Sequence, residues 1–269
     1  MIFERAPAKI NLALHVLGRR LDGYHELDSR VAFADVGDDI IISSSHRNSL
    51  RVDGMFADDV PLGEDNIIWK AWRALNELFQ LPYVTVGLTK NLPVASGIGG
   101  GSADGAAMLR GLLRLIGKTL SDAQVSTFAR SLGADVPVCF YSKACRMTGI
   151  GETISTLTDI LPKALVLANP RVSCSTPKVF QEMNLQPGEN CSPGAELWRN
   201  DMTQAALRVQ PVIGDVLRAL EIQNIGSVRM SGSGATCFAE AENYSAAEKA
   251  AAQLAQNHPN WWVKATTLL

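Results

Sequence analysis

The chain has 269 residues, 46% of them apolar and 19% charged, with a net charge of −2. That composition excludes a disordered chain, and so small a positive charge argues against nucleic acid as a partner. The five cysteines (Cys139, Cys145, Cys174, Cys191 and Cys237) form no Cys-x-x-Cys pair, and no apolar run reaches membrane-spanning length, so a disulfide framework, a zinc site and a membrane span are all excluded as expectations.

Met1-Ile2-Phe3-Glu4-Arg5 does not read as a signal peptide, which makes a cytoplasmic protein of one large or two ordinary domains the expectation. Residues 8–16 alternate, with Ile10, Leu12, Leu14 and Val16 on one face of a strand and Lys9, Asn11, Ala13 and His15 on the other. Lys9 and Asn11 therefore project the same way, about 7 Å apart by strand rise. A lysine there would most simply be a solvated edge residue, were it not for Pro7 and the motifs described below. Gly18 to Gly23 is turn chemistry, followed by Tyr24 and His25. Residues 31–42 read as a strand broken at Gly37-Asp38-Asp39, and 50–52 as a short one. Asp65 or Asn66 caps a helix carrying Ile67, Ile68, Ala71, Leu75, Leu78 and Phe79.

Next come a strand pattern (Tyr83, Val84, Val86, Leu88), a glycine loop, and an apolar helix pattern (Ala106, Ala107, Met108, Leu109, Leu112, Leu113). The loop is Pro93-Val94-Ala95-Ser96-Gly97-Ile98-Gly99-Gly100-Gly101-Ser102-Ala103. A bare backbone leading into a helix start aims free N–H groups and the positive helix end at one point, so phosphate is the expected occupant. It is neither the dinucleotide fingerprint, whose sixth position here is Ser102, nor a P-loop, which needs Lys and Ser or Thr after its second glycine.

Ser121 to Gln124 has the form of a capping box, opening a helix that Gly133 ends. Asp135 then stands at the entry to a predicted strand, 138–141, either as a turn residue or as a rigidly held carboxylate near the loop. A glycine-marked turn at 147–152, a buried strand at 164–168, a loop at 186–194, helices at 196–208 and 212–222, a hairpin at 226–239, an alanine-rich helix at 246–255 and a strand at 261–268 complete the chain. The hairpin turn, Ser231-Gly232-Ser233-Gly234, is a second glycine loop. The ending suits a helix-on-antiparallel-sheet domain, so two α+β domains, 1–155 and 156–269, are expected, with the phosphate loop at their cleft.

Pro7-Ala8-Lys9-Ile10-Asn11-Leu12, Asp22-Gly23-Tyr24-His25, the central loop, Gly133-Ala134-Asp135-Val136-Pro137 and Met230 through Ala235 occur in this order. Together they resemble the GHMP small-molecule kinases essentially end to end, and the Tyr-His and Gly-Ala-Asp-Val-Pro segments resemble members that act on a cytidylyl polyol diphosphate. The alternative is a sister GHMP kinase acting on homoserine, mevalonate or a sugar. The resemblance implies a ribosomal-S5-like N-terminal domain, a ferredoxin-like C-terminal domain, and ATP with Mg²⁺ as cofactors. It implies a monomer or weak homodimer with small-molecule partners only.

The resemblance also implies roles. Lys9 and Asp135 match the catalytic pair, and a carboxylate in reach of an alcohol takes its proton while an ammonium steadies the developing charge. Asn11 matches a substrate-positioning residue. Pro93 to Ala103 matches the phosphate loop, with Ser102 as a hydroxyl ligand to phosphate or Mg²⁺. Asn66 matches a position near the adenine. Tyr24 and Phe180 match a stack around the cytosine whose edge is read by the histidine matching His25. Three departures stand out. Ala103 removes a hydroxyl that many relatives carry, and Gly105 weakens the helix start by roughly 1 kcal/mol relative to alanine. Val31 replaces an aromatic of some relatives, so the base would lean more on Phe180.

Overall fold

The computed structural model describes residues 1–160, 163–192 and 196–269, so the end of the expected 186–194 loop lies partly outside the described residues. Two compact units are each assembled from several segments: Met1–Ala8, Gly37–Val94 and Gly99–Ser142 in one, Lys9–Val36, Ala95–Ile98 and Lys143–Leu269 in the other. Each mixes helices and sheet, as the α+β expectation requires.

The first unit takes the beginning of β1 (Ile2–Arg19) and the end of β2 (His25–Ser44). β3 (Ser49–Asp53), α1 (Ile67–Phe79), β4 (Val84–Thr89), α2 (Gly100–Ile116), α3 (Asp122–Leu132) and α4 (Val136–Tyr141) complete it. β4 runs between β2 and β3, antiparallel to the first (Ile42↔Val86) and parallel to the second (Leu50↔Val86). Val84, Val86 and Leu88 alternate inward, and α1 buries Ile68, Ala71 and Leu75. Each fully buried Val, Leu or Ile of this set contributes about 1.5–3 kcal/mol. The Asn66 side chain accepts from the Ile68 N–H at 2.8 Å, and Ser121 with Gln124 forms the expected capping box.

Two expectations fail here for identifiable reasons, and a third gains a second cause. β2 is not broken at Gly37-Asp38-Asp39, because the Asp38 side chain turns inward and accepts from the backbone N–H groups of Asn91 and Leu92 at 2.6 and 2.8 Å. Residues 138–141 are helix, not strand: Pro137 sits in the first turn of α4, where its missing N–H has no partner to lose. Gly105 is not merely a weak helix former. A Cβ there would lie 2.8 Å from Ile67 Cγ1, so the glycine lets α1 and α2 approach closely, and alanine would clash.

The second unit holds the rest of β1 and β2 with β5 (Cys145–Gly149) and β6 (Thr153–Thr156), where β5 pairs antiparallel with both β2 (Ser29↔Met147) and β6. Its other sheet is built from β7 (Ala164–Asn169), β8 (Val228–Met230), β9 (Cys237–Ala241) and β10 (Trp262–Thr267), joined antiparallel in the order β10-β7-β9-β8. α5 (Thr176–Glu182), α6 (Thr203–Val209), α7 (Val212–Ile222) and α8 (Tyr244–Asn257) accompany it. Ile213, Val216 and Leu220 of α7 and Ala247 and Leu254 of α8 share one core with the buried face of β7 and β9.

The expected helix at 196–208 begins only at Thr203. Residues 199–201 are held extended against β1 instead, with the Leu14 N–H donating to Arg199 O and the Asp201 N–H to Leu14 O, both at 2.9 Å. α5 was not foreseen in the polar stretch after Asn169. Among the described residues no helix is long and apolar enough to cross a membrane.

Candidate active site

β1 does not carry Lys9 as a solvated edge residue. Lys9 is 5% exposed and Asn11 3%, and the opposite face (Ile10, Leu12) is buried as well. The alternation therefore places both side chains in a covered position, where a charge persists only if something there requires it. The Lys9 N–H donates to Ile98 O at 2.9 Å, and the Asn11 N–H donates to the Ser231 hydroxyl at 3.0 Å. That hydroxyl in turn donates to Gly97 O at 3.1 Å. Alternate residues of one strand thus hold the segment Ala95–Ile98, one directly and one through Ser231.

The second glycine loop proves to be the partner of the first. The Thr236 N–H donates to Ser96 O at 3.0 Å and the Cys174 N–H to Ala95 O at 3.2 Å. Gly97 has φ +78°, and a Cβ on it would lie 2.4 Å from Ser231 O, so only glycine fits this approach. The turn itself is held by Asn200, whose amide donates to Met230 O and Gly232 O at 2.9 and 2.7 Å. Ser96 and Ile98 are buried, whereas Val94 and Ala95 are exposed, Ala95 with φ 51°. The Asn11 amide donates to Ser29 Oγ at 2.8 Å, but its Oδ1 is buried without a partner.

The other end of the loop belongs to the first unit. α2 starts at Gly100, with Gly99 as its N-cap at φ 65°, so Gly100, Gly101, Ser102 and Ala103 are its first turn rather than a loop before it. The N–H groups of Gly100, Gly101 and Ser102 are among the four that a helix leaves without an internal partner, whereas the Ala103 N–H donates to Gly99 O at 2.8 Å. A Cβ placed on Gly133 would lie 3.9 Å from Ser102 Oγ, so the turn leading to Asp135 runs beside the start of α2. Asp135 occupies the N-cap position of α4, yet its side chain does not cap that helix. Asn66, the residue matched to the adenine site, uses both ends of its amide locally, accepting from Ile68 and donating to Pro61 O at 2.6 Å.

One charged group in this unit escaped the sequence reading. Lys90, at the exit of β4, places its ammonium 2.6 Å from both Asp38 Oδ2 and Asp104 Oδ2, with all three side chains at most 4% exposed. Burial alone would lower the Lys90 pKa, but the Asp104 and Asp38 carboxylates outweigh it and the net shift is upward. Burial, reinforced by Asp38, raises Asp104 well above the usual carboxylate range against the pull of Lys90. The available signal was a lone aspartate, Asp104, inside an otherwise small and apolar helix start.

Around the turn after β1, the ring stacked on Phe180 is His25, with centroids 4.3 Å apart and planes 18° from parallel. Tyr24 is 61% exposed, its N–H bound to Asp22 Oδ1 at 3.2 Å and its carbonyl to the Arg20 N–H at 2.7 Å. The face of Phe180 expected to carry the cytosine is covered here by His25. His25 Nε2 is buried and unpartnered, and burial followed by the Arg19 charge lowers its pKa, keeping the ring neutral at pH 7. Val31 is fully buried opposite Cys145 in the sheet.

Residues 66–143 match the model for the GHMP kinases N terminal domain and 189–260 the model for the GHMP kinases C terminal domain, which makes the molecule a small-molecule kinase of the GHMP class. A 4-diphosphocytidyl-2-C-methyl-D-erythritol kinase of Bradyrhizobium sp. (strain ORS 278) is 45% identical, covering 98% of this chain and 96% of its own. The crystal structure of a 4-(cytidine 5'-diphospho)-2C-methyl-D-erythritol kinase superposes with a TM-score of 0.83 at 29% identity, covering 99% of this chain and 98% of that one. A homoserine kinase from Cytophaga hutchinsonii, at 17% identity and a TM-score of 0.70 over 100% of this chain and 94% of its own, shares the fold. The chain belongs to the 4-diphosphocytidyl-2-C-methyl-D-erythritol kinase family of GHMP kinases.

Proposed function

We propose that the enzyme transfers the γ-phosphoryl group of ATP to the C2 hydroxyl of 4-diphosphocytidyl-2-C-methyl-D-erythritol, a cytoplasmic step in the non-mevalonate route to isoprenoid precursors. The observation that carries this reading is the covered pair Lys9 and Asn11, stitched to residues 95–98, with a buried Asn11 Oδ1 that lacks a donor. A substrate hydroxyl supplies such a donor. Asp135 takes the proton of the C2 hydroxyl as it attacks, and Lys9 stabilises the negative charge that develops. Residues 93–103 hold the phosphates through backbone N–H groups and the start of α2, with Asn66 setting the wall near the adenine. Phosphoryl transfer needs little else than positioning and charge.

Mg²⁺ fits this site through hard oxygen donors. It is usually held by one or two protein oxygens plus substrate phosphates, and Ser102 is the residue we assign to it. Among the described residues no cluster of three or more His, Cys, Asp or Glu forms a dedicated metal cage. When bound, the ion neutralises phosphate charge. We read the family modules as residues 1–155 and 156–269, with one matched segment in each.

For the cytidine, the base takes the face of Phe180 that His25 now covers, with Tyr24 on its other side, and His25 turns to the base edge, giving Nε2 a partner. His25→Ala is expected to raise the apparent constant for the cytidylyl substrate roughly five- to a hundredfold, the equivalent of about 1–3 kcal/mol for a lost buried hydrogen bond. The constant for ATP stays where it was. Because the folded pKa of His25 lies below 6.5, the unfolded chain binds the extra proton first, so stability falls as pH drops below 6.5 and the variant lacks this loss. Steady-state constants for both substrates, with melting curves against pH, check this. An unchanged cytidylyl constant in folded variant would remove His25 from base recognition.

A further inference from the structure

The glycine loop has two flanks, and one buried ionic cluster touches both. Asp38 Oδ1 accepts from the N–H groups of Asn91 and Leu92, where the chain leaves β4 and enters the loop. Asp38 Oδ2 meets the Lys90 ammonium, and the same ammonium meets Asp104, one turn into α2 where the chain leaves the loop. The ammonium lies directly under the helix start, since a Cβ on Gly100 would be 3.2 Å from Lys90 Nζ. A charge cluster with two carboxylates and one ammonium is costly to bury and adds less stability than apolar packing of the same volume. Lys90 and its partners lie beneath the first turn of α2, whose N–H groups are assigned above to phosphate. Core stability alone does not account for such an arrangement there.

We propose that Lys90, Asp38 and Asp104 are positioning residues that fix the two flanks of the phosphate loop relative to each other, and so set the affinity for the triphosphate part of ATP. Asp38 fixes the entry by its two backbone hydrogen bonds. Lys90 carries that constraint across to Asp104 and hence to the N–H groups of the first turn. The carboxylates also surround the ammonium, so its charge is spent inside the cluster and does not compete with the helix start for phosphate. This inference uses only ATP binding, common to the kinase family, and is independent of which alcohol is phosphorylated.

The test is equilibrium binding, by calorimetry, of a non-hydrolysable ATP analogue and of adenosine to the full chain well below its melting temperature. Asp104→Ala keeps the Lys90–Asp38 pair but cuts the tie to α2. It is expected to weaken the ATP analogue roughly tenfold, about what one hydrogen bond to a charged group contributes. Asp104→Asn, which keeps a hydrogen bond without the charge, weakens it about threefold. Adenosine, which has no phosphates, binds both variants as it binds the parent. Unchanged affinity for the ATP analogue in either folded variant overturns the proposal, as does an equal loss for adenosine, which marks a general structural defect. Should Asp104→Ala not fold, Asp104→Asn decides by the same two constants. Failure here leaves the acceptor assignment untouched, because no acceptor is present.

Discussion

Asp135→Asn is expected to bind ATP nearly as the parent does and to lose turnover by ~10²–10⁴-fold, the usual contribution of a general base. The amide has almost the same shape but cannot accept the proton of the attacking hydroxyl. Asp135 stands at the N-cap of α4 without capping it, so the substitution removes no cap bond and the helix keeps its Pro137 start. Melting temperature and ATP affinity therefore serve as internal controls. Near-normal turnover in the asparagine variant would show that another group takes the proton.

Gly97→Ala is expected to damage the phosphate site severely. The new Cβ would sit 2.4 Å from Ser231 O and 2.8 Å from Gly234 N, and the residue would be held at φ +78°. The atoms it meets are backbone atoms of the second turn, so relief requires that the glycine loop and that turn separate. The left-handed conformation alone costs an alanine about 1–3 kcal/mol. A displaced loop no longer aims its N–H groups at phosphate, and the apparent ATP constant should rise by ~10²-fold, with turnover falling alongside. Titration of an ATP analogue into the variant measures this. An ATP affinity within a factor of about two of the parent would mean that the contact between the loops does not shape the phosphate site.

Local chemistry was legible wherever one side chain acts on its near neighbours. Asn66 and the Ser121–Gln124 box announce helix starts because each hydrogen-bonds two or three residues away. The buried run of β7 and the alanine face of α8 follow from simple periods. The failures have distant partners. Asp38 looks like turn chemistry until its carboxylate is seen on the N–H groups of Asn91 and Leu92. Residues 199–201 fall inside the span 196–208 that reads as a helix, but β1 claims their backbone from the far end of the chain. The six residues of α4 are too few for a period to separate helix from strand, and Pro137 was the better guide.

The candidate site divides in the same way. The shared face of Lys9 and Asn11 follows from the period of a strand, and the phosphate loop from its glycines. That both faces of β1 are covered depends on elements elsewhere in the chain. So does the meeting of Ser231 with Gly97 across 134 residues. His25 on Phe180 is likewise a contact between residues far apart in sequence, and nothing in the Tyr24-His25 pair indicates which ring would lie on it. Lys90 carries no local signal because its two aspartates lie in separate segments.

The most direct test is ADP release by the purified protein with ATP and Mg²⁺, offered one alcohol at a time: 4-diphosphocytidyl-2-C-methyl-D-erythritol, homoserine, mevalonate and a sugar. The account predicts turnover with the cytidylyl substrate, a phosphorylated product carrying the new group at C2, and background release with the other three. Turnover of homoserine, mevalonate or the sugar in the absence of turnover with the cytidylyl substrate would contradict it.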